Sequence, residues 1–356
     1  MVINDSPAFG QRKVLLLCHS YGLNGACIML LQLARFWVRQ LGWSVQALVH
    51  PALAQSDGIY LERAGVGLAF EVRPQDGFDF CLINTVLDIG HAERVSKLMP
   101  VAAWVHESTT AVSNMNMPIT QLYRLFLHCR KLVFQTRWQS EHVFGTFTHA
   151  LAAGRVAVVP NGIPDMPQIS ARKPHDGAML DVVFLGSIYG RKRPGDLAKA
   201  VALLAQQHPV RCTFIGDTHH MNTLAADEAQ LMRTHPAITL AGPMERNAAL
   251  QRVAQADVLV LSSADESQPL VPLEAAALKV PVVLSRLPMY PYSGWADGEN
   301  CLMHEPGDVA GLAGALLKLH QDPGLRQRLG QAGHALSEQF ALPLFLQRMT
   351  AELVAM

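Results

Sequence analysis

Nowhere in this chain do two cysteines share a Cys-x-x-Cys spacing. The six, at 18, 27, 81, 129, 212 and 301, stand singly, most of them within or beside apolar runs. That excludes a zinc frame of the usual spacing and a disulfide scaffold, so they read as reduced packing residues of a cytoplasmic protein. Net charge is absent as well, with 29 Lys plus Arg against 29 Asp plus Glu. Residues 1–160 hold 13 basic and 10 acidic side chains, a balance of +3, which leaves 16 and 19, or −3, for the remainder. Neither half has the cationic excess of a nucleic-acid-binding surface. Long apolar runs are missing too. The best candidate, Ile28 to Val49, is broken by Arg35 and Arg39, short of the roughly 18 apolar residues that a spanning helix needs. The amino end, Met1 to Pro7, lacks the basic-then-apolar form of a signal peptide. The expectation is a cytoplasmic protein, with peripheral membrane contact left open. The stretch that could lean on an anionic surface is Ile119–Arg130, with Lys131 next to it, although a plain packed helix explains it better.

What is present points to an α/β fold. The chain has 356 residues, half of them hydrophobic, and single cores rarely grow past roughly 250–300 residues. Two domains are therefore expected. Short apolar runs bounded by polar loops read as buried parallel strands. In the first half they fall at Lys13–Cys18, Val45–Val49, Phe80–Ile83, Val101–Val105, Leu132–Phe134 and Val156–Val159. Helices fit near Ala26–Leu41, His91–Lys97, Ile119–Cys129 and Trp138–Phe147. Pro160-Asn161-Gly162-Ile163-Pro164 marks a turn, and the short polar stretch Ile169–Met179 reads as the linker. The alternation restarts with strands at Val182–Leu185, Cys212–Ile215, Ile238–Leu240, Val258–Leu261, Val282–Leu284 and near Cys301–Met303. Helices fit Pro194–Gln207, Asn222–Thr234, Glu245–Gln255, Pro272–Leu278, Val309–His320, Gly324–Phe340 and Pro343–Val354. The expected boundaries are 1–165, 166–340 and a C-terminal helix, 341–356, packing back towards the first domain.

The stretch that organises the chain runs from Asp257 to Ser285: a buried strand, a polar loop carrying Glu266, a helix opened by Pro272, and a second buried strand. Pro272 fits a first helical position, which puts Glu274 in the first turn. Amides near Leu270 and Val271 would point outside the strand's carboxyl end, where open α/β sheets bind ligands and helix starts favour phosphate. Taken alone, Glu274 could merely complement the helix dipole and Glu266 could be a solvated loop residue. A second loop, Gly186-Ser187-Ile-Tyr-Gly-Arg191-Lys192-Arg193, follows the first strand of the second half. Three cations near a helix start are unfavourable unless an anion balances them, so a diphosphate between the two loops is the better account. The first-half loop His19-Ser-Tyr-Gly22-Leu-Asn24-Gly25 is not Gly-x-Gly-x-x-Gly, which disfavours a nicotinamide cofactor. His106-Glu107 leaves the Val101 strand at a carboxyl end, where a lone His is more often structural. His219-His220, with no carboxylate frame, is a poor metal site, and no metal ligands are assigned.

Two carboxylates separated by seven residues, then a small-residue helix and Pro281-Val-Val, resemble the signature of family 4 retaining GT-B glycosyltransferases (glycosyl transferases group 1). Pro160-Asn161-Gly162, Gly186 with Arg191-Lys192, Gly216-Asp217, Ala241-Gly242-Pro243-Met244 and Glu299-Asn300-Cys301-Leu302 are similar to that family's ordered elements. The resemblance is specific over about half the chain and looser before Ala157. It implies two facing Rossmann-like doubly wound domains, the first on the acceptor side and the second binding the nucleotide sugar. It implies a metal-independent, hexosyltransferase-type enzyme with the donor as co-substrate and no further cofactor. Catalytic roles would fall to Glu266, Arg191, Lys192 and His106. Donor binding would fall to Glu274, Leu270, Val271, Gly186, Ser187, Asn24, Gly25 and Met244. Closure about Asn161–Gly162 would assemble the cleft. Three departures stand out: Ser187 replaces an Arg, Ser267-Gln268-Pro269 replaces Gly-Phe-Gly, and Lys279 replaces a helix-ending Gly. A non-catalytic homologue that binds the nucleotide sugar and a GT-B-like epimerase are the alternatives. Acceptor and oligomeric state are not readable from the chain.

Overall fold

Runs of four to six apolar residues are stable as strands only when helices cover both sheet faces, and the computed structural model shows that arrangement twice. It describes residues 9–22, 24–115, 117–169 and 178–356. The first eight residues, Leu23, Asn116 and most of the expected linker lie outside the described residues. The chain divides into two units, Met1–Pro164 with Ala341–Met356, and Asp165–Phe340.

The first unit is a seven-stranded sheet in the order β3-β2-β1-β4-β5-β6-β7. Its strands are β1 Lys13–Leu17, β2 Ser44–Leu48, β3 Gly67–Ala69, β4 Phe80–Asn84, β5 Val101–Val105, β6 Lys131–Phe134 and β7 Val156–Val158. Each pairing is parallel, with Leu16 opposite Ala47 on one side and Leu82 on the other. The helices are α1 Gly25–Arg39, α2 Ala54–Ala64, α3 Ala92–Val95, α4 Thr109–Ser113, α5 Ile119–Phe126 and α6 Gly145–Thr148. A π-helical turn, Gln139–Val143, stands where a continuous helix to Phe147 was expected. α2 and β3 were not foreseen.

The second unit repeats the plan with six parallel strands in the order β10-β9-β8-β11-β12-β13. They are β8 Leu180–Leu185, β9 Val210–Ile215, β10 Ile238–Gly242, β11 Val258–Leu261, β12 Val282–Ser285 and β13 Leu302–His304. The helices are α7 Pro194–Leu204, α8 Ala226–Thr234, α9 Arg246–Ala254, α10 Leu270–Ala277, α11 Val309–Gln321 and α12 Pro323–Ser337. Both sheets reverse their order at their first strand, so each unit is doubly wound in the Rossmann manner. The last helix, α13 Leu342–Val354, belongs to the first unit. Its Thr350 hydroxyl accepts a 2.8 Å bond from the buried Trp37 indole, and its Phe345 ring stacks 5.5 Å from Trp104. The division falls between Pro164 and Asp165. The Asn161–Gly162 turn, expected to act as the hinge, is buried, with Gly162 lying so close to α13 that an added Cβ would meet Phe345 Cβ at 2.9 Å. Among the described residues no helix is long and apolar enough to cross a membrane.

Candidate donor site

β8 and β11 are neighbours, and the order of the second sheet reverses between them. Ligands of open α/β sheets bind outside the carboxyl ends of such a strand pair. Both loops singled out in the sequence leave these two ends. At the start of the first, Gly186 takes a φ of +144°, a region that favours glycine. Gly216, at the end of β9, has a φ of +150°, and a Cβ there would collide with the Gly186 carbonyl. Gly186 is set by its backbone angle, and Gly216 by the close approach of the two strand ends.

The first loop is tied to the second by backbone and side chain together. The Ala264 amide donates to the Arg191 carbonyl at 2.8 Å, and the Ser262 hydroxyl donates to the Arg193 carbonyl at 2.8 Å. Lys192 Nζ then donates to Glu266 Oε1 at 2.5 Å, while Arg191 Nη1 stands 3.7 Å from Glu266 Oε2. The Arg191 guanidinium also donates to the Asp265 carbonyl at 2.7 Å and to the Tyr189 hydroxyl. Ser263 adds a 2.6 Å bond to Glu266 Oε1, and Ser285 holds the Ser263 carbonyl. Glu266 is therefore buried, only 6% exposed, and not a solvated loop residue. Burial alone would raise its carboxyl pKa, but Lys192 and Arg191 outweigh that and hold it below the ordinary carboxylate value.

Three cations were read as one cluster, and the structure separates them. Arg193 adopts a left-handed φ of +47° and turns its guanidinium to Asp196, with Nε 2.6 Å from Oδ2. Asp196 also accepts from the Gly307 amide. Arg193 thus fixes the start of α7, leaving Arg191 and Lys192 at the switch point. Ser187 is exposed beside them.

α10 starts at Leu270, two residues before the expected Pro272, and Pro269 is its cap. Pro272 occupies the third helical position, where its missing N–H is still harmless. Leu270 and Val271 carry the first amides of the helix, which have no intrahelical acceptor. Glu274 lies beyond the first turn, contrary to expectation, and Arg246 Nη2 at 2.6 Å accounts for its charge more directly than the helix dipole does. Arg246 also donates to the Asp165 carbonyl at 2.7 Å. Neither Arg246 nor the serines Ser262, Ser263 and Ser285 were foreseen. Ser262-Ser263, ending an apolar run, is the one local signal that could have pointed to them. Met244 lies in the loop between β10 and α9 and is exposed.

The remaining candidates, Asn24, Gly25 and His106, lie in the first unit. Asn24 caps α1, its Oδ1 accepting from the Cys27 amide at 3.0 Å, and Gly25 is the exposed first residue of that helix. His106 leaves β5 with both ring nitrogens occupied: Nε2 pairs with Asn84 Oδ1 at 2.9 Å and Nδ1 with the Gln135 amide at 2.5 Å. Burial, aided by repulsion from His19, pushes its pKa down to about 3. The ring is thus held neutral at neutral pH. Its neighbour Glu107 accepts from the Val86 and His106 amides at 3.0 and 2.9 Å. Burial nevertheless raises the Glu107 carboxyl to about 7. Cys18 and Cys27, read as separate packing residues, lie with their sulfurs 3.8 Å apart. His219 pairs with Asp217 at the surface.

Residues 179–322 match the family described as glycosyl transferases group 1, which covers most of the second unit. The chain is 30% identical over 199 residues to an exopolysaccharide phosphotransferase of Streptomyces coelicolor, covering 55% of this chain and 20% of that protein. It is 29% identical over 182 residues to a glycogen synthase of Mycobacterium tuberculosis, covering 50% of this chain and 42% of that one. The chain thus spans less than half the length of these curated relatives. The structure of Anabaena HepE in complex with UDP and glucose superposes with a TM-score of 0.76, at 18% identity, covering 97% of this chain and 100% of that one. That likeness concerns the fold, which is of the GT-B type with two Rossmann-like domains.

Proposed function

We propose that the protein is a glycosyltransferase that moves a hexose from a nucleoside diphosphate donor to an acceptor, with retention at the anomeric carbon. The observation that carries the reading is the convergence of Lys192 and Arg191 on Glu266 at the switch point of the second unit, beside the start of α10. The match of residues 179–322 to glycosyl transferases group 1 supports the activity. HepE, solved with UDP and glucose, makes UDP-glucose the first donor to test.

In this reading the diphosphate takes over Lys192 and Arg191, and the amides of Leu270 and Val271 face the same oxygens. Cations and amides already in place stabilise the charge that develops as the nucleoside diphosphate departs, so the transfer needs no divalent metal. Once its cations turn to phosphate, Glu266 is free to accept hydrogen bonds from hydroxyls of the donor sugar. Glu274, oriented by Arg246, accepts from the ribose hydroxyls. Retention rests on the resemblance of the Glu-x7-Glu block to retaining enzymes. The reaction takes place in the cytoplasm, where nucleotide sugars are available, and the acceptor is a glycan, a lipid-linked sugar or a small molecule.

A panel of nucleotide sugars, screened first by thermal shift and then for turnover, tests the reading. Glu274→Ala weakens nucleotide binding, and the Arg191→Ala, Lys192→Ala double variant lowers turnover by about 10²-fold or more. Wild-type turnover in both variants refutes the assignment. Nuclear magnetic resonance of the product's anomeric proton reports the stereochemistry, and an inverted product removes the retaining part alone.

A further inference from the structure

The first unit gathers a second set of chemistry-bearing side chains that the transfer reaction does not use. Cys18 and His19 leave the carboxyl end of β1, and Asp88 lies in the 3-10 turn that follows β4. These two strands are neighbours at the point where the sheet order reverses. One ligand atom each from Cys18, His19 and Asp88 lies within 4.8 Å of the others. His19 Nδ1 stands 3.4 Å from Asp88 Oδ2, an oxygen shielded from solvent, and 3.3 Å from the Thr85 hydroxyl. Cys27, in the first turn of α1, brings a second sulfur to 3.8 Å from that of Cys18. Two thiolates on one tetrahedral ion, each at about 2.3 Å from it, are also about 3.8 Å apart. Asn84 Nδ2 donates to the Cys18 sulfur at 3.3 Å, the kind of outer bond that orients a metal thiolate.

We propose that Cys18, His19 and Asp88, with Cys27 as a fourth donor once its thiol leaves the Ser20 carbonyl that it meets at 2.8 Å, form a binding site for a thiophilic divalent cation of the zinc class. The donors argue for that class. Magnesium and calcium select all-oxygen sites, whereas sulfur, imidazole and carboxylate together suit a borderline ion in tetrahedral geometry. Bound there, the ion clamps the end of β1, the start of α1 and the turn after β4. The site belongs to the first unit and the diphosphate loops to the second, so the proposal stands or falls independently of the transfer reaction.

The test uses the full chain, stripped with chelator, kept reduced and titrated with Co²⁺ as a spectroscopic stand-in. The expected result is sulfur-to-cobalt charge-transfer absorption that saturates stoichiometrically and is bleached by Zn²⁺. Cys18→Ser weakens the band, and the Cys18→Ser, Cys27→Ser double variant abolishes it. Asp88→Asn, a near-isosteric change that removes the charge, weakens cobalt binding by about 10-fold or more. Cys301→Ser, a buried thiol of the other unit, leaves it unchanged. Absence of the band from folded wild-type protein with titratable thiols overturns the proposal. So does a band unchanged in Cys18→Ser or surviving in the double variant, or cobalt affinity unaltered in Asp88→Asn.

Discussion

A buried carboxylate is tolerable only while its charge is matched, and Glu266 depends for this on Lys192 more than on Arg191, at 2.5 against 3.7 Å. Removing one partner of such a pair leaves an uncompensated charge, whereas removing both can be nearly neutral. Lys192→Ala is therefore expected to destabilise the second unit by about 2–3 kcal/mol, at or below the low end of the usual range because Arg191 remains nearby. Adding Glu266→Gln restores most of that stability and none of the turnover. Urea unfolding of the two single variants and the double variant measures the coupling, and additive effects contradict it. Glu107 offers a pH test in the other unit. Its carboxyl rises from an ordinary 4.5 to about 7 on folding, so the folded state holds the proton longer than the unfolded chain. Stability from this group is complete below 4.5, declines as pH rises towards about 7 and is absent above it. His106, lowered to about 3 from 6.5, works in the opposite sense, its contribution being lost as pH falls through that interval. Glu107→Gln should gain stability relative to wild type between pH 4.5 and about 7. Parallel unfolding curves at the two ends of that interval, with no relative gain, contradict this.

Helix ends show what could be read locally and what could not. Lys279 sits just past α10 with a φ of +61°, where most chains would place glycine, as its sequence position implied. Its side chain is exposed, so Lys279→Gly should relieve strain and raise stability by about 0.5–1 kcal/mol, less whatever backbone freedom glycine adds to the unfolded chain. A thermal midpoint equal to or lower than wild type contradicts the prediction. The conformation is held in part by α12, whose Gly330 packs so closely on the Lys279 carbonyl that any Cβ would clash. Strands of continuous Val, Leu and Ile were legible because both sheet faces are covered, and their ends fell within a residue or two of expectation. α2 was not legible: only Asp57, Leu61 and Ala64 are buried along it, too sparse for a helical stripe. β3 has three residues and exposes two of them at a sheet edge, so it carries almost no apolar signal. The start of α10 was misplaced because proline is harmless at any of the first helical positions, and its presence cannot tell the first from the third. Arg193 was grouped with the phosphate loop because charge can be counted in a sequence while the direction of a side chain cannot.

At the scale of the whole molecule, the contact least visible in the chain joins residues more than 300 positions apart. α13 returns to the first unit and sets Thr350 against Trp37, both fully buried. Lys131 Nζ meets Glu352 at 2.8 Å along the same helix. A C-terminal amphipathic helix can be read from its periodicity, but its docking surface is formed only once α1, β5 and β6 are folded side by side. The threonine hydroxyl is the specific element, because it accepts from the indole while donating to the Leu346 carbonyl within its own helix. Thr350→Val keeps the shape, spares the helix bond's carbonyl little and leaves the Trp37 N–H without an acceptor, which should cost about 1–3 kcal/mol. Trp37 stacks on Trp43 at 5.4 Å, so tryptophan fluorescence reports this region directly. If the helix contributes to the first unit as drawn, Thr350→Val lowers the urea midpoint followed by tryptophan emission, while Thr350→Ser, which retains the acceptor, loses less. Equal losses in the two variants would mean that the methyl group matters as much as the hydrogen bond to Trp37, which contradicts the prediction.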